Sequence, residues 1–559
     1  MRRLARALIA GPAVVALYLA GLGDLLLETP NEPREAEIAR EVWINGPLHV
    51  PRLNGRPFVE KPPLTYWAAS LVLGIAAQRV PGEFAVRLAP ALFSLGMVFA
   101  TFLIGWSWFS PAHGALAALM LASTPEVIGT GRSFLTDPAL ACALVGTIGA
   151  ATSTLLAVRR ERAVLLLVTA ACGSAAAFLA KGPIAWALAV LPVAGAIVAA
   201  QGIRGLVKAP ALRVLLAVSA GSAVAAALWI WIVAREGDPS LLRQIVRYHV
   251  GALTGSSREH LGSGWFYLVP VAVGFLPWTL LLAPLACEAY ESRAPQPLGR
   301  RILALWALAT LGLLSCIAQK RNVYALPLYP PLALLAAGVL LEPLQGRAAS
   351  LARNLWRVMS PLLVAGGLLA PPAVALRAWI VGRFDLVLLG LALWIGALCV
   401  FFFARRYAEE PDAPLPGAFT AVSLQAVLAL ALALCIVPIS HRRNRSLRPL
   451  AREVAAAVAN QPDVELHGYR LTEALNGALP FEMGRVFGTL EAREDVERTL
   501  AADPRSRVIL ERHVFESEGL RGRILGEFKK HGLDLLLVGP EQGDPAYLAE
   551  TTARKRSPD

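Results

Sequence analysis

The chain has 559 residues, of which 56% are apolar and 17% charged, and its mean hydropathy is +0.54. A soluble domain carries about 25% charged residues, so this composition excludes both an ordinary water-soluble enzyme and a disordered chain. The formal charge of +13 is what arginines flanking apolar spans produce, and without a polybasic tail it argues against a nucleic-acid partner.

A bilayer-crossing helix needs about 20 mostly apolar residues. By that measure about thirteen transmembrane helices are predicted, near 7–27, 83–108, 112–130, 138–157, 163–180, 183–200, 212–234, 265–286, 301–318, 324–341, 358–376, 385–403 and 418–438. The first follows Met1-Arg-Arg-Leu-Ala-Arg, and with no small-residue cleavage site after Leu27 it reads as a retained helix. Arginines fall in alternate short loops: Arg159-Arg160-Glu161-Arg162, the stretch with Arg204 and Lys208, Arg293/Arg300/Arg301, Arg347/Arg353/Arg357 and Arg405-Arg406. The positive-inside rule then predicts a cytoplasmic N-terminus, and the odd number of crossings a periplasmic C-terminus.

The loops 28–82 and 235–264 share that outer side. Pro33 to Asn45 has helical spacing, with Asn31 as a cap, and Leu64 to Gln78 reads as a second, amphipathic stretch on the membrane surface. From about His441 the composition becomes soluble α/β, which predicts a membrane domain over 1–440 and a small C-terminal domain over 441–559. Within it Ser446–Ala459 and Ala492–Leu500 read as helices. Val464 to His467, Arg507 to Glu511 and Asp534 to Val538 read as strands. The six cysteines form no Cys-x-x-Cys pair and read as small buried apolar residues. No phosphate-binding glycine loop is present, so no nucleotide cofactor is expected.

Charge beside a membrane span is costly, about 2.5–3.5 kcal/mol at a helix centre. Glu32, Glu60, Lys61, Arg132, Asp137, Lys181, His260, Lys320 and Arg321 nonetheless gather at the predicted outer ends of spans. Mixed charge along one interface suits chemistry on an anionic, lipid-borne molecule.

An ordered series of motifs carries a resemblance. Ala36-Glu-Ile-Ala-Arg-Glu41, Val50-Pro-Arg-Leu-Asn-Gly55 and Glu60-Lys-Pro-Pro-Leu-Thr-Tyr-Trp67 are followed by Leu135-Thr-Asp-Pro138 and Leu179-Ala-Lys-Gly-Pro183. Then come His260 with Trp265-Phe-Tyr-Leu, Gly274-Phe-Leu-Pro-Trp278 and Lys320-Arg-Asn-Val-Tyr-Ala-Leu-Pro-Leu-Tyr-Pro-Pro331. Together they resemble the lipid A aminoarabinose transferases, which belong with the protein mannosyltransferases among the GT-C glycosyltransferases. The resemblance implies an all-α polytopic membrane domain of GT-C type with the small C-terminal α/β domain. It further implies transfer of a sugar from a polyprenyl (undecaprenyl) phosphate to a lipid A-like, glycan or protein acceptor at the outer face of the bacterial inner membrane.

It also assigns residues. Glu60 and His260 match the family's metal site, and a carboxylate with an imidazole suits Zn²⁺ or Mn²⁺; the plainer reading pairs Glu60 with Lys61 and makes His260 a cap. Lys61 corresponds to the lysine on the carrier phosphate, assisted by Lys320, Arg321 and a hydrogen bond from Tyr324, although Lys320 and Arg321 also suit snorkelling from a span end. Asp137 matches an acidic position near the reaction, with Arg132 as its ion-pair partner or a phosphate contact; the helix dipole alone would also place an acid there. Lys181 reads as helix–helix geometry. Asn31-Glu32 departs from the family's Asp-Glu, and an amide accepts no proton, which leaves Glu32 or Asp137 as base, an anionic acceptor that needs none, or an impaired enzyme. Two other classes compete: a polytopic lipid or sugar transporter, and a catalytically impaired binding relative.

Overall fold

The computed structural model describes residues 11–76 (save 13), 82–156, 160–255, 261–291, 296–408 (save 381 and 383), 414–433, 446–459 and 464–541 (save 531). Its residues fall into two compact units. One comprises Met1–Asp24, Val59–Ala68 and Arg87–Ser440; the other comprises Leu25–Phe58, Ala69–Val86 and His441–Asp559.

The first unit is helical. Among the described residues nine helices are long and apolar enough to cross a membrane, or up to ten if one bent pair counts as a span. Their hydropathy is not explained by burial in protein: the segment Leu386–Arg406 has mean hydropathy 2.7 in its most apolar window, of which only 17% is buried. An apolar face that the protein leaves uncovered has lipid as its solvent. The cysteines follow the same logic, and here the sequence reading is corrected: Cys172, Cys316 and Cys399 lie on exposed faces and are not core residues.

Two of the predicted spans are not continuous helices. The run 112–130 divides into Pro111–Ala122 and Pro125–Gly131, with Pro125 starting the second piece. Proline favours the first turn of a helix and disrupts its interior. The run 265–286 is bent by 106° between Leu268–Gly274 and Trp278–Glu291. By contrast, the Lys-Gly-Pro break separates two full helices, Ala163–Lys181 and Pro183–Gln201, with Gly182 at φ +73° between them.

Small residues let the spans approach. A Cβ on Gly221 would lie 2.0 Å from the carbonyl oxygen of Ala171. Close by, Ser174 and Ser222 share a 2.7 Å hydrogen bond between the same two helices, Ala163–Lys181 and Ala209–Ala234. This is close packing of the small-residue kind that drives association in lipid, where apolar burial alone gives no preference. Another set of helix ends is tied by charge. Arg300 donates to Glu288 at 2.6 Å and to Glu342 at 2.7 Å, and His113 Nε2 lies 2.8 Å from the Leu334 carbonyl oxygen.

The second unit contains a five-stranded sheet of order β4-β3-β5-β7-β6, with β3 Glu465–Tyr469, β4 Gly488–Leu490, β5 Ser506–Glu511, β6 Arg523–Lys530 and β7 Leu533–Gly539. Pairing is parallel for β3 with β4 and β5, and antiparallel for β7 with β5 and β6. Alternation divides the core between the two faces. Ile509, Leu535 and Leu537 pack with Leu450, Val454 and Leu479 from two helices, while Val508, Leu510 and Leu536 pack with Val496 and Leu500 from a third. The helix Asn31–Asn45 belongs to this unit. A Cβ on Gly477, in the helix Glu473–Met483, would lie 2.5 Å from the backbone nitrogen of Arg34, and Arg34 ion-pairs with Glu35 and Glu473. A two-residue hairpin turn, Asn54-Gly55, joins β1 Arg52–Leu53 to β2 Arg56–Pro57. Both turn residues have positive φ, as the favoured turn of such hairpins requires.

Gly221→Val places methyl groups where the Ala171 carbonyl lies, so it is expected to cost about 1–3 kcal/mol or more through overpacking. Gly312→Val, at a span position with nothing within 4 Å of its Cβ, is expected to be neutral. Thermal unfolding of the detergent-solubilised protein, followed by size-exclusion fluorescence, compares the two.

Candidate active site

Asp137 and Lys181 form an ion pair whose side chains are only 7% and 16% exposed. Helix geometry brings them together. Asp137 opens the helix Asp137–Leu155 and Lys181 closes the antiparallel helix Ala163–Lys181. An N-terminus carries partial positive charge and a C-terminus partial negative charge. Each ion therefore sits at the helix end that favours it, and each then neutralises the other.

Tyr324 completes the group. It stands on the 3₁₀ segment Asn322–Leu328, and its ring centroid lies 3.9 Å from the Lys181 ammonium, a cation–π distance. Its hydroxyl is hydrogen-bonded to the Arg321 side chain and lies within the fields of Asp137 and Lys61. Lys61, Asp137, Lys181, Arg321 and Tyr324 are thus neighbours in the first unit. Cations from three elements thus gather around the Asp137 carboxylate and the Tyr324 hydroxyl.

Two further groups border it. Glu126 lies in the first turn of the short helix Pro125–Gly131, near Asp137. His249 lies in the helix Pro239–Thr254, and a Cβ on Gly182 would fall 3.0 Å from its Cε1, with Pro62 alongside. Burial lowers the imidazole below its ordinary value, which leaves it neutral at pH 7.

Other expected site residues are placed differently. Arg132 is not the partner of Asp137: it donates to the Leu17 carbonyl oxygen at 2.8 Å, and the charges acting on it are Arg87, Asp24 and Tyr18. The Lys320 ammonium donates to the carbonyls of Leu314 and Ser315, at 2.7 and 2.8 Å, and faces the Tyr267 ring. It thereby satisfies the last carbonyls of the helix Leu298–Cys316. Asn31 and Glu32 belong to the second unit. Asn31 is the first helical residue and does not cap the helix, because Pro30 already has helical dihedrals; the Glu32 carboxylate accepts the Glu28 backbone N–H at 2.8 Å. Glu60 precedes Lys61 in the first unit, and His260 lies outside the described residues. Among the described residues no group of three His, Cys, Asp or Glu side chains is placed to hold a metal ion.

Sequence reasoning leaned to a structural role for Lys181, which the structure places on Asp137 of a second helix, and passed over Glu126 and His249. The signal for Lys181 was available: a lysine closing an apolar helix needs a counter-charge, and Asp137 opens another span.

The dolichyl-phosphate-mannose-protein mannosyltransferase family matches residues 60–231, the stretch holding Lys61, Asp137 and Lys181. An undecaprenyl phosphate-α-4-amino-4-deoxy-L-arabinose arabinosyl transferase of Sodalis glossinidius is 32% identical over 409 residues, 70% of each chain. The chain belongs to this arabinosyl transferase family. It is therefore a membrane glycosyltransferase, and the transporter reading falls away. The fold agrees. ArnT from Cupriavidus metallidurans, solved bound to undecaprenyl phosphate, superposes with a TM-score of 0.70 at 20% identity, over 96% of this chain and 99% of that one. The archaeal oligosaccharyltransferase AglB from Archaeoglobus fulgidus gives 0.50 at 13% identity, over 91% and 69%. The GT-C architecture is common to all three.

Removing one member of a buried ion pair costs about 3–5 kcal/mol, because the other charge is left uncompensated. Lys181→Met and Asp137→Asn are each expected to lower thermal stability, and the double variant is expected to be less destabilised than the sum. Melting temperatures of the four proteins test this; strictly additive losses would show that the two side chains do not interact.

Proposed function

We propose that the protein transfers a pentose, 4-amino-4-deoxyarabinose, from undecaprenyl phosphate to a lipid A-like acceptor at the outer face of the bacterial inner membrane. The observation that carries the reading is the gathering of Lys61, Lys181 and Arg321 around Tyr324 and Asp137 at a set of span ends, in a chain of the arabinosyl transferase family. A lipid phosphate needs such a cationic site at the end of a span, where its hydrocarbon tail can stay among apolar helices. The orientation that goes with this reading, N-terminus inside and C-terminal segment outside, rests on the arginine loops.

The reaction in this reading is an in-line displacement at the anomeric carbon with inversion. The acceptor oxygen attacks, the bond from the anomeric carbon to the phosphate oxygen breaks, and the departing lipid phosphate gains negative charge. Lys61 takes up that charge, with Arg321 and the Tyr324 hydroxyl beside it, and fixed positive charge matched to developing negative charge lowers the barrier. Asp137 is the proposed base. Lys181 engages one of its carboxylate oxygens, and the acceptor's proton passes to the other. Glu60 and His260 are the proposed ligands of a divalent ion, Zn²⁺ or Mn²⁺, and the displacement above is written without it.

Lys61→Ala is expected to abolish transfer in proteoliposomes while the protein stays folded, since a contact that strengthens in the transition state is lost; normal turnover would remove the lysine from the mechanism. Asp137→Asn is expected to reduce transfer about 10²–10⁴-fold, the usual worth of a general base. Glu32→Gln should cost less, and Asn31→Asp should be neutral or faster. If Asp137→Asn is active and Glu32→Gln is dead, the base assignment reverses; if both are active, the acceptor is an anion that needs no base. For the metal, stoichiometric analysis should find one ion per active chain, lost in Glu60→Ala and in His260→Ala, and a metal-free active enzyme would dismiss the site.

A further inference from the structure

The polar side chains of the motif Ala36 to Glu41 are accounted for inside the second unit. Arg40 is held by Glu37 at 2.7 and 2.6 Å and donates at 3.0 Å to the carbonyl of Gly484, the residue that ends the helix Glu473–Met483 with φ +68°. Both oxygens of Glu41 accept the Gly55 N–H at 3.1 Å, which fixes the hairpin turn. Asn54, in the same turn, hydrogen-bonds Asn476 at 3.2 Å and accepts the Phe487 N–H at 2.9 Å. These bonds tie three segments, the helix Asn31–Asn45, the hairpin and the stretch after Met483, around a cavity of about 610 Å³. That volume lies within the ordinary range of ligand sites, about 300–1,000 Å³.

The lining has a definite chemistry. Arg40, Arg52 and Arg485 contribute three guanidinium groups, His49 an imidazole and Glu41 a carboxylate; Arg40 is paired with Glu37, and Arg52 donates to the Gly55 carbonyl oxygen at 2.9 Å. The Glu41 carboxylate is turned to the Gly55 backbone, and Glu37 is paired with Arg40. Arg485 has no ion-pair partner among the described residues. Guanidinium forks match phosphate oxygens in pairs, and a concave basic wall concentrates anions. An apolar edge adjoins the arginines: Ile44 is 61% and Val486 47% exposed in the lining itself, and Trp43 and Leu48 are 54% and 45% exposed beside Ile44 and His49.

We propose that this cavity binds the phosphate headgroup of an anionic amphiphile, with Arg52 and Arg485 on the phosphate and the apolar edge against the adjoining hydrocarbon. The Ala36–Glu41 motif then builds the wall of a binding site that is distinct in residues from the Asp137 cluster. Its test needs no transferase activity.

The full chain in phosphatidylcholine nanodiscs is titrated by calorimetry with dihexanoyl phosphatidic acid, inorganic phosphate and dihexanoyl phosphatidylcholine. Saturable binding of the phosphatidic acid is expected, tighter than inorganic phosphate, with none of the phosphatidylcholine. Arg485→Gln, at an exposed position that leaves the fold intact, and Arg52→Gln should each weaken it about tenfold. Arg521→Gln removes an exposed arginine that does not line the cavity and should leave binding unchanged. Equal affinity for inorganic phosphate would show a free-anion site and overturn the amphiphile. Binding that is absent, or unchanged in both lining variants, would overturn the site.

Discussion

A carboxylate and an ammonium buried together at the ends of two apolar helices set the constraint on which the rest of the first unit depends. Removing either Asp137 or Lys181 would leave the other's charge uncompensated at low exposure. Because the helices run antiparallel, each charge lies at the dipole end that stabilises it, and the pair fixes the relative height of the two helices. Tyr324 uses the same ammonium as a platform, which positions the 3₁₀ segment and, through it, Arg321. Lys61 then adds charge to a group whose own pair is already balanced. With that ion pair satisfied, Lys61, Arg321 and the Tyr324 hydroxyl lie beside one another at the same span ends.

The second unit solves a different problem with water-soluble means. Its sheet buries apolar side chains on both faces, and a strongly charged helix, Asn31–Asn45, is held by paired charges and backbone contacts. Glu35, Glu37 and Glu41 are each at most 2% exposed, and the contacts of Arg34, Arg40 and the Gly55 turn show what keeps them there. Satisfying buried carboxylates in this way rigidifies the segment, and the walls of the arginine-lined cavity are a consequence.

Much of this was legible in the sequence, for reasons that differ by residue. Lys61 and Asp137 stand out because charge beside apolar runs is costly and must be used. The helix at 31–45 and the strands at 465–469, 506–511 and 533–539 follow from periodicity. The single span at 112–130 failed because a window average hides a short polar stretch: Ser123-Thr124-Pro125-Glu126 interrupts the run, and the helix breaks there. The strands β4 and β6 escaped notice because they lie at the sheet edges, where one is three residues long and the other mixes charged and apolar residues. The expected pairing of Arg132 with Asp137 gives way to a hydrogen bond with the Leu17 carbonyl, far away along the chain. The partner of Lys181 is 44 positions distant, a spacing that local sequence pattern does not connect.

The central claim is that the cluster of Lys61, Arg321 and Tyr324, positioned by the Asp137–Lys181 pair, receives the carrier phosphate. A cryo-electron microscopy structure of the protein in a nanodisc with undecaprenyl phosphate tests it most directly. The account requires phosphate oxygens within hydrogen-bonding distance, about 2.7–3.2 Å, of the Lys61 ammonium and of Arg321 or the Tyr324 hydroxyl, with Lys181 still on Asp137. A phosphate bound away from Lys61, or a Lys181 that leaves Asp137 to take the phosphate itself, would contradict it.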